Sequence, residues 1–178
     1  VHFKWALPFL ACIALTVAGC SHYSLGTGKA LEFHTLFIEP IGNATMLPQA
    51  VATVSTELRE AFLRDGRVVV VNTAAEADAI LALNLSRYSR DVATVLANDT
   101  GLARKFDLTL TATATLRDRR SDKIWFRDRP LTVKRQIFTD NPQAKGEFGN
   151  QLQAEYTTLP LLAESLSKSA VHAVLDVW

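Results

Sequence analysis

Cysteine is scarce in this chain of 178 residues, with only Cys12 and Cys20 present. Cys12 lies in an apolar leader that is expected to be removed, so the mature chain keeps Cys20 alone. That excludes an internal disulfide framework and a cysteine-rich metal site. Histidine is also sparse: His2 goes with the leader, and His22, His34 and His172 are scattered without carboxylate partners at metal-ligand spacing. No Gly-x-Ser-x-Gly occurs, which removes the nucleophile elbow of a hydrolase. Gly26-Thr27-Gly28 is too short, and too far from any helix start, to cradle a phosphate. Glu147, Glu155 and Glu164 fall in a loop and on a helix face, with nothing to fix paired-acid geometry. Net charge is missing too. The whole chain has 19 basic and 18 acidic side chains, and loss of Lys4 with the leader brings the mature part to neutrality. A neutral chain lacks the broad positive field of a nucleic-acid binder. No enzyme, cofactor or metal is expected.

What is present starts with the leader. Residues 1–19 carry one base, Lys4, followed by an apolar stretch from Trp5 to Val17 that includes Pro8. Thirteen residues fall short of the roughly 20 needed to span a bilayer, but they suit the apolar region of a secretory signal peptide. The chain does not open on Met, so an alternative start codon or a partial basic region is expected. Val17-Ala18-Gly19-Cys20 resembles a lipobox, in which small residues let the peptidase close on an extended backbone before a lipid-accepting thiol. Cys20 is therefore the expected lipid attachment site, with the lipid chains anchoring the chain stably in a membrane. Ser21 after the cysteine, in place of Asp, points to the outer membrane. Residues 20–31 read as a tether, and residues 32–178 as a single α+β domain.

Within that domain, Thr35–Glu39 reads as a strand stopped by Pro40. From Pro48 to Arg64 the apolar residues Val51, Val54, Leu58, Ala61 and Phe62 recur at helical spacing. Glu60 and Arg64 form an expected i,i+4 pair, and Gly66 marks the C-terminal end. Arg67–Val71 is a buried-strand pattern able to return parallel to the first strand after the helix. A third strand spans Ala79–Ser89. The fourth is the clearest segment: Phe106, Leu108, Leu110, Ala112, Ala114 and Leu116 alternate with Asp107, Thr109, Thr111, Thr113 and Thr115, giving one core face and one threonine ladder. A turn over 117–123 leads into an antiparallel fifth strand from Ile124 to about Arg129. Residues 139–151 read as a loop. A last helix follows, capped by Thr158 with Pro160 in its first turn and striped by Leu162, Leu166, Ala170 and Val174. The expected architecture is a two-layer α+β sandwich: a mixed sheet of four to five strands with two helices on one face.

Charge concentrates at one place, the hairpin turn, where Arg117, Arg119, Arg120 and Lys123 lie within seven residues and Asp118 and Asp122 offset half of them. Arginine forks suit phosphate recognition, so these four are the candidate anion contacts. Arg104-Lys105 and Lys134-Arg135 are weaker clusters.

Several short motifs occur in a consistent order: Gly19-Cys20, Tyr23-Ser24-Leu25-Gly26, Phe37-Ile38-Glu39-Pro40, Asn43-Ala44-Thr45, Glu76-Ala77-Asp78-Ala79-Ile80-Leu81, Leu116-Arg117-Asp118-Arg119-Arg120 and Leu159-Pro160-Leu161-Leu162-Ala163-Glu164. In this order the chain resembles the LptE-like lipopolysaccharide-assembly lipoproteins. The resemblance implies a non-enzymatic outer-membrane lipoprotein, facing the periplasm or seated in the lumen of a large β-barrel partner, the LptD-like lipopolysaccharide translocon. It also implies binding of lipopolysaccharide through basic residues. It does not single those residues out, and the hairpin-turn bases are nominated on charge alone. Two other readings stay open at this point: a different periplasmic lipoprotein, such as an auxiliary subunit of a lipid-transport ABC system or an activator of a cell-wall synthase, and a lipid-anchored hydrolase.

Overall fold

A computed structural model describes residues 31–95, 103–138 and 147–176. The leader, Cys20 and residues 20–30 of the tether lie outside the described residues. From Leu31 onward the elements are β1 (Thr35–Ile38), β2 (Gly42–Asn43), α1 (Gln49–Asp65), β3 (Val69–Val71), a 3-10 turn (Ala74–Glu76), β4 (Ala79–Val95), β5 (Ala103–Asp118), β6 (Ile124–Phe138) and α2 (Glu147–Leu175). They form a mixed sheet of order β3-β1-β4-β5-β6, with β2 also paired to β4. Six strands replace the four to five expected. The additional one, β2, has only two residues and no periodicity to betray it.

β1 and β2 are one pairing edge interrupted at Pro40. β1 runs parallel to both β3 and β4, and β2 rejoins β4 through Gly42↔Asn84 and Asn43↔Leu85. The Glu39 N–H donates to the Leu81 carbonyl at 2.9 Å, and the Ala44 N–H to that of Leu85 at 2.8 Å. These bonds hold the edge to β4 on both sides of the proline, which has no N–H to offer.

β4, β5 and β6 form a long antiparallel meander, and each outer strand outruns the sequence reading for a local reason. In β4, Leu81, Leu83 and Leu85 face the core. A register shift between Leu85 and Arg87 then moves the core-facing set to Tyr88, Arg90 and Val92, opposite Leu110, Leu108 and Phe106. One extra residue reverses the parity of a strand, so the alternation breaks at Ser86, inside the Ala79–Ser89 span expected from the sequence, and the strand continues to Val95. β6 passes through Pro130, which is tolerated because β6 pairs only with β5 and is an edge strand. Its own irregularity falls between Phe126 and Arg129, where Asp128 adopts a left-handed φ of 49°.

Both helices pack on the same face of the sheet. α1 buries Ala50, Val54, Leu58, Ala61 and Phe62 and ends at Gly66, whose left-handed φ of 75° lets its N–H reach the Phe62 carbonyl at 3.1 Å. Arg64 does not pair with the Glu60 carboxylate. Its Nε donates to the Glu60 carbonyl, and its guanidinium meets Glu57 one turn further back at 3.7 Å. α2 begins at Glu147, eleven residues before Thr158, and continues through Pro160. Pro160 is exposed, so water can satisfy the Tyr156 carbonyl that the missing N–H leaves free, while Leu159 and Leu162 on the inner face hold the helix to the core. Leu162, Leu166, Ala170 and Val174 face that core as expected, in one cluster with Leu108, Leu110, Ala112, Ala114 and Leu131. Among the described residues, no helix is long and apolar enough to cross a membrane.

Candidate functional site: the hairpin turn and the open sheet face

Strand β5 sorts its residues as its alternation requires. Leu108, Leu110, Ala112, Ala114 and Leu116 are fully buried beneath the helices, whereas Asp107, Thr109, Thr111, Thr113 and Thr115 look the other way and are half-buried only by their neighbours. Cross-strand registers extend this face: Asn84-Thr113-Pro130, Arg87-Thr111-Thr132 and Ser89-Thr109-Lys134 form successive rows, followed by Asp91-Asp107-Gln136. The hydroxyls of Thr111 and Thr132 are 3.2 Å apart. In the last row, two carboxylates stand opposite each other, a repulsive arrangement. Lys134 offsets it at 2.7 Å from Asp107, and the Gln136 amide donates to Asp107 at 3.1 Å; both hold the Asp107 carboxyl below its ordinary range, Lys134 most. Neither helix packs on this face. It is a wide, polar, nearly neutral surface built on a rigid sheet.

The hairpin turn between β5 and β6 brings its four bases together, and each meets a partner within the fold. Arg117 bridges Glu39 at 3.3 Å and Asp122 at 3.2 Å. Arg119 donates through Nε to the Ala77 carbonyl at 2.7 Å. Arg120 lies 3.7 Å from Asp78, and Lys123 lies 3.1 Å from Glu32. Glu32 also accepts from the Trp125 indole at 3.0 Å, beside a Phe33–Trp125 ring contact. The carboxylates are fixed in turn. Asp118 accepts from the N–H groups of Ser121 and Arg120 at 2.7 Å each, and Asp78 from those of His34 and Thr35 at 3.2 Å each. These backbone donors hold both carboxyls below the usual carboxylate range, Ser121 most for Asp118 and His34 most for Asp78. The turn is thus a junction joining the entry of the domain, β1 and the start of β4. Arg120 and Lys123 still expose most of their side chains, 75% and 59%.

The secondary clusters are likewise engaged. Arg135 donates to the Ser165 hydroxyl at 2.8 Å, and Glu164 pairs with Lys168 at 2.7 Å. His172 meets Asp176, which also binds Arg67 at 2.6 Å. Arg67 further contacts Asp65 at 2.7 Å and donates to the Leu175 carbonyl, so it ties the C-terminal ends of both helices together. Among the described residues, no group of three or more His, Cys, Asp or Glu could hold a metal ion. The sequence reading missed a network around Glu155, which accepts from Tyr88 at 3.3 Å and pairs with Arg90 at 2.6 Å. Burial, with Glu155 beside it, pushes the Tyr88 hydroxyl up to about 12. In sequence Glu155 shows only a helix-face position, because its partners lie more than sixty residues away and leave no trace in local periodicity.

A mixed sheet with two helices on one face and a polar second face defines a two-layer α+β module. The chain belongs to the LptE family, lipopolysaccharide-assembly, whose model matches residues 33–169. The fold is similar to an uncharacterized lipoprotein B of Nitrosomonas europaea (TM-score 0.54, 18% identity, covering 87% of this chain and 88% of that one). It is also similar to a minor lipoprotein of Acinetobacter baumannii (0.51, 17%, 81% and 92%) and a protein of Xanthomonas campestris (0.59, 15%, 83% and 86%). No curated relative matches the sequence.

Proposed function

We propose that this chain is a non-enzymatic outer-membrane lipoprotein, anchored through lipid on Cys20, that plugs an LptD-like β-barrel translocon and assists the insertion of lipopolysaccharide. The observation that carries the reading is the family match over residues 33–169 on a fold that leaves one sheet face polar and uncovered. The lumen of a large membrane barrel is polar, and a face of threonine, asparagine and glutamine on which Arg87 and Lys134 balance Asp91 and Asp107 suits such a surrounding. The helices, by contrast, are committed to the domain's own core. For the glycolipid's phosphates the proposed contacts are the hairpin-turn bases, Arg117, Arg119, Arg120 and Lys123. Arg120 and Lys123 are the readiest of these, since they expose the most side chain.

Affinity purification of the full-length protein from detergent-solubilised membranes tests the reading. Stoichiometric recovery of a large outer-membrane barrel is the expected result. Recovery instead of an inner-membrane transporter or a cell-wall synthase overturns it. Thr111→Arg with Thr113→Arg, which places two uncompensated charges on the open face, is expected to reduce barrel recovery at least tenfold while leaving the fold intact by circular dichroism. Lipopolysaccharide binding by Arg120→Glu with Lys123→Glu is expected to fall severalfold; unchanged binding removes the turn as the phosphate site.

A further inference from the structure

α2 has two unlike halves. From Leu159 onward it contributes Leu159, Leu162, Leu166, Ala170 and Val174 to the buried core. Between Leu152 and Thr158 no side chain is buried: Leu152 is 67% exposed and Tyr156 71%, and Ala154 packs against the core only in part. Pro160 stands at the boundary. It has no N–H for the Tyr156 carbonyl, and proline is where a helix bends most readily. A second bending element lies beside it. The Thr157 hydroxyl donates to the Gln153 and Ala154 carbonyls at 3.0 and 3.1 Å, a back-bond of the kind that bends helices. A polar cluster holds the first half to the sheet. Glu155 accepts from the Tyr88 hydroxyl at 3.3 Å and pairs with Arg90 at 2.6 Å, and the Arg90 guanidinium lies 5.9 Å from the centroid of the Phe106 ring. Between this half and the start of α1 lies a cavity of about 500 Å³, lined in part by Leu47, Tyr88, Tyr156 and Leu159. Close-packed elements leave few voids larger than a water molecule, so this stretch stands beside a hollow and on a polar fastening.

We propose that the first half of α2 is a strap: a helical arm, hinged at Pro160 and latched by Glu155, that lifts from the sheet while the second half stays docked. The inference is independent of the function proposed above. Segments with few buried apolar contacts open at the low end of a fold's local stabilities. The second half can leave only by opening the core, whereas the first has only to release Glu155. From Glu147 to Thr158 the arm is about 18 Å long at 1.5 Å per residue, so a bend of about 20° at the proline carries its far end roughly 6 Å. Closed, the strap keeps Tyr88 half-buried. Lifted, it widens the cavity beside Leu47 and leaves Tyr88 and Arg90 without their shared carboxylate. The strap is thus a switch of exposure built into a continuous helix.

Pulsed electron paramagnetic resonance on the full-length protein in detergent, spin-labelled at introduced cysteines, tests this. Glu60→Cys with Leu152→Cys measures the strap against α1, and Glu60→Cys with Lys168→Cys measures the docked half. The expected result is two distances for the first pair, differing by about 5 Å or more given a bend of that size, and one for the second. Glu155→Gln is expected to raise the longer population at least threefold, and Tyr88→Phe to raise it by a smaller factor. Pro160→Ala, which returns an N–H to the Tyr156 carbonyl, is expected to lower it at least threefold. A single distance for the first pair that Glu155→Gln leaves unchanged overturns the proposal. So does hydrogen exchange in which amides 152–158 lose their protection as the longer population grows, because the segment then melts instead of hinging. A shifted or broadened distance for the second pair in Glu155→Gln marks a loss of fold, and Tyr88→Phe, which removes a single oxygen, then decides between the same outcomes.

Discussion

Replacing Ser167 with alanine removes a side chain that is at odds with its surroundings. Ser167 is 1% exposed, and its hydroxyl is the buried side-chain polar atom that has no partner among the described residues. Leaving a buried hydroxyl unpaired costs about 1–3 kcal/mol, and serine is roughly 0.5 kcal/mol worse than alanine inside a helix. The lost contacts of one oxygen work in the opposite direction by a smaller amount. The balance predicts that Ser167→Ala stabilises the domain by about 1–2 kcal/mol. At about 2–4 °C per kcal/mol for a domain of this size, Tm rises by about 2–8 °C. Ser165→Ala is the internal control, since it makes the same chemical change two residues away on the same helix. There the hydroxyl donates to the Leu161 carbonyl at 2.9 Å and accepts from Arg135 at 2.8 Å, so its loss is expected to be neutral or destabilising. Thermal melting and urea titration of both variants, compared at equal m-value, decide the matter. A loss of stability in Ser167→Ala would refute the reasoning, because it would mean that the hydroxyl is satisfied and useful.

Other outcomes follow from the same contacts. Gly66→Ala forces a side chain into a left-handed φ of 75°, though no atom lies within 4 Å of the added Cβ; a loss of about 1 kcal/mol is expected, largely restored in Gly66→Asn, by urea titration. Leu110→Ala is expected to cost about 2–5 kcal/mol, whereas Thr111→Ala, one residue along on the open face, should stay within about 0.5 kcal/mol; equal losses would show that the face is covered within the monomer. The Asp78 carboxyl is held below its ordinary 3.8 first by the His34 N–H, so its stabilising contribution is complete above that value and is lost as pH falls through the lower folded pKa. Acid titration should therefore give a flatter loss of stability below about pH 4 in Asp78→Asn than in the parent protein, and identical acid limbs would count against the bonds to His34 and Thr35.

The sequence discloses most where a single rule acts without interruption. Over Phe106 to Leu116 β5 keeps an unbroken alternation, which alone assigns core and open faces. α1 shows itself through one buried stripe and a glycine at its end, and the parallel return of β3 follows from the helix between. The extension of β4 beyond Ser89 is hidden because Arg90, Asp91 and Val92 are all exposed and no apolar face marks the strand there, and that of β6 because Pro130 reads as a stop, although on an edge strand it is not one. The first half of α2 is hidden for a different reason. Leu152, Tyr156 and Leu159 recur at helical spacing, but Pro160 reads as a first-turn residue, so the helix is expected to start only after them although it already runs from Glu147. The four bases of the hairpin turn are visible in sequence, but Glu32, Glu39 and Asp78 arrive from segments forty to ninety residues away. Local charge reveals the cluster and conceals its attachments.

The bulge that follows Leu85 also bears on how this chain can change over generations. Because it divides β4 into two halves of opposite parity, substitutions and length changes carry very different risks there. A point substitution alters one side chain on one face. A single-codon deletion at Ser86 would remove the extra residue and leave Arg87, Tyr88, Ser89 and Arg90 on the faces they already hold, whereas a deletion at Ser89 would turn Arg90 and Val92 to the open side and Asp91 toward the helices. Drift within a lineage should therefore tolerate the loss of the surplus residue at Ser86 and resist a change of length between Tyr88 and Val92, so that the bulge is a place where this strand can shed a residue without inverting.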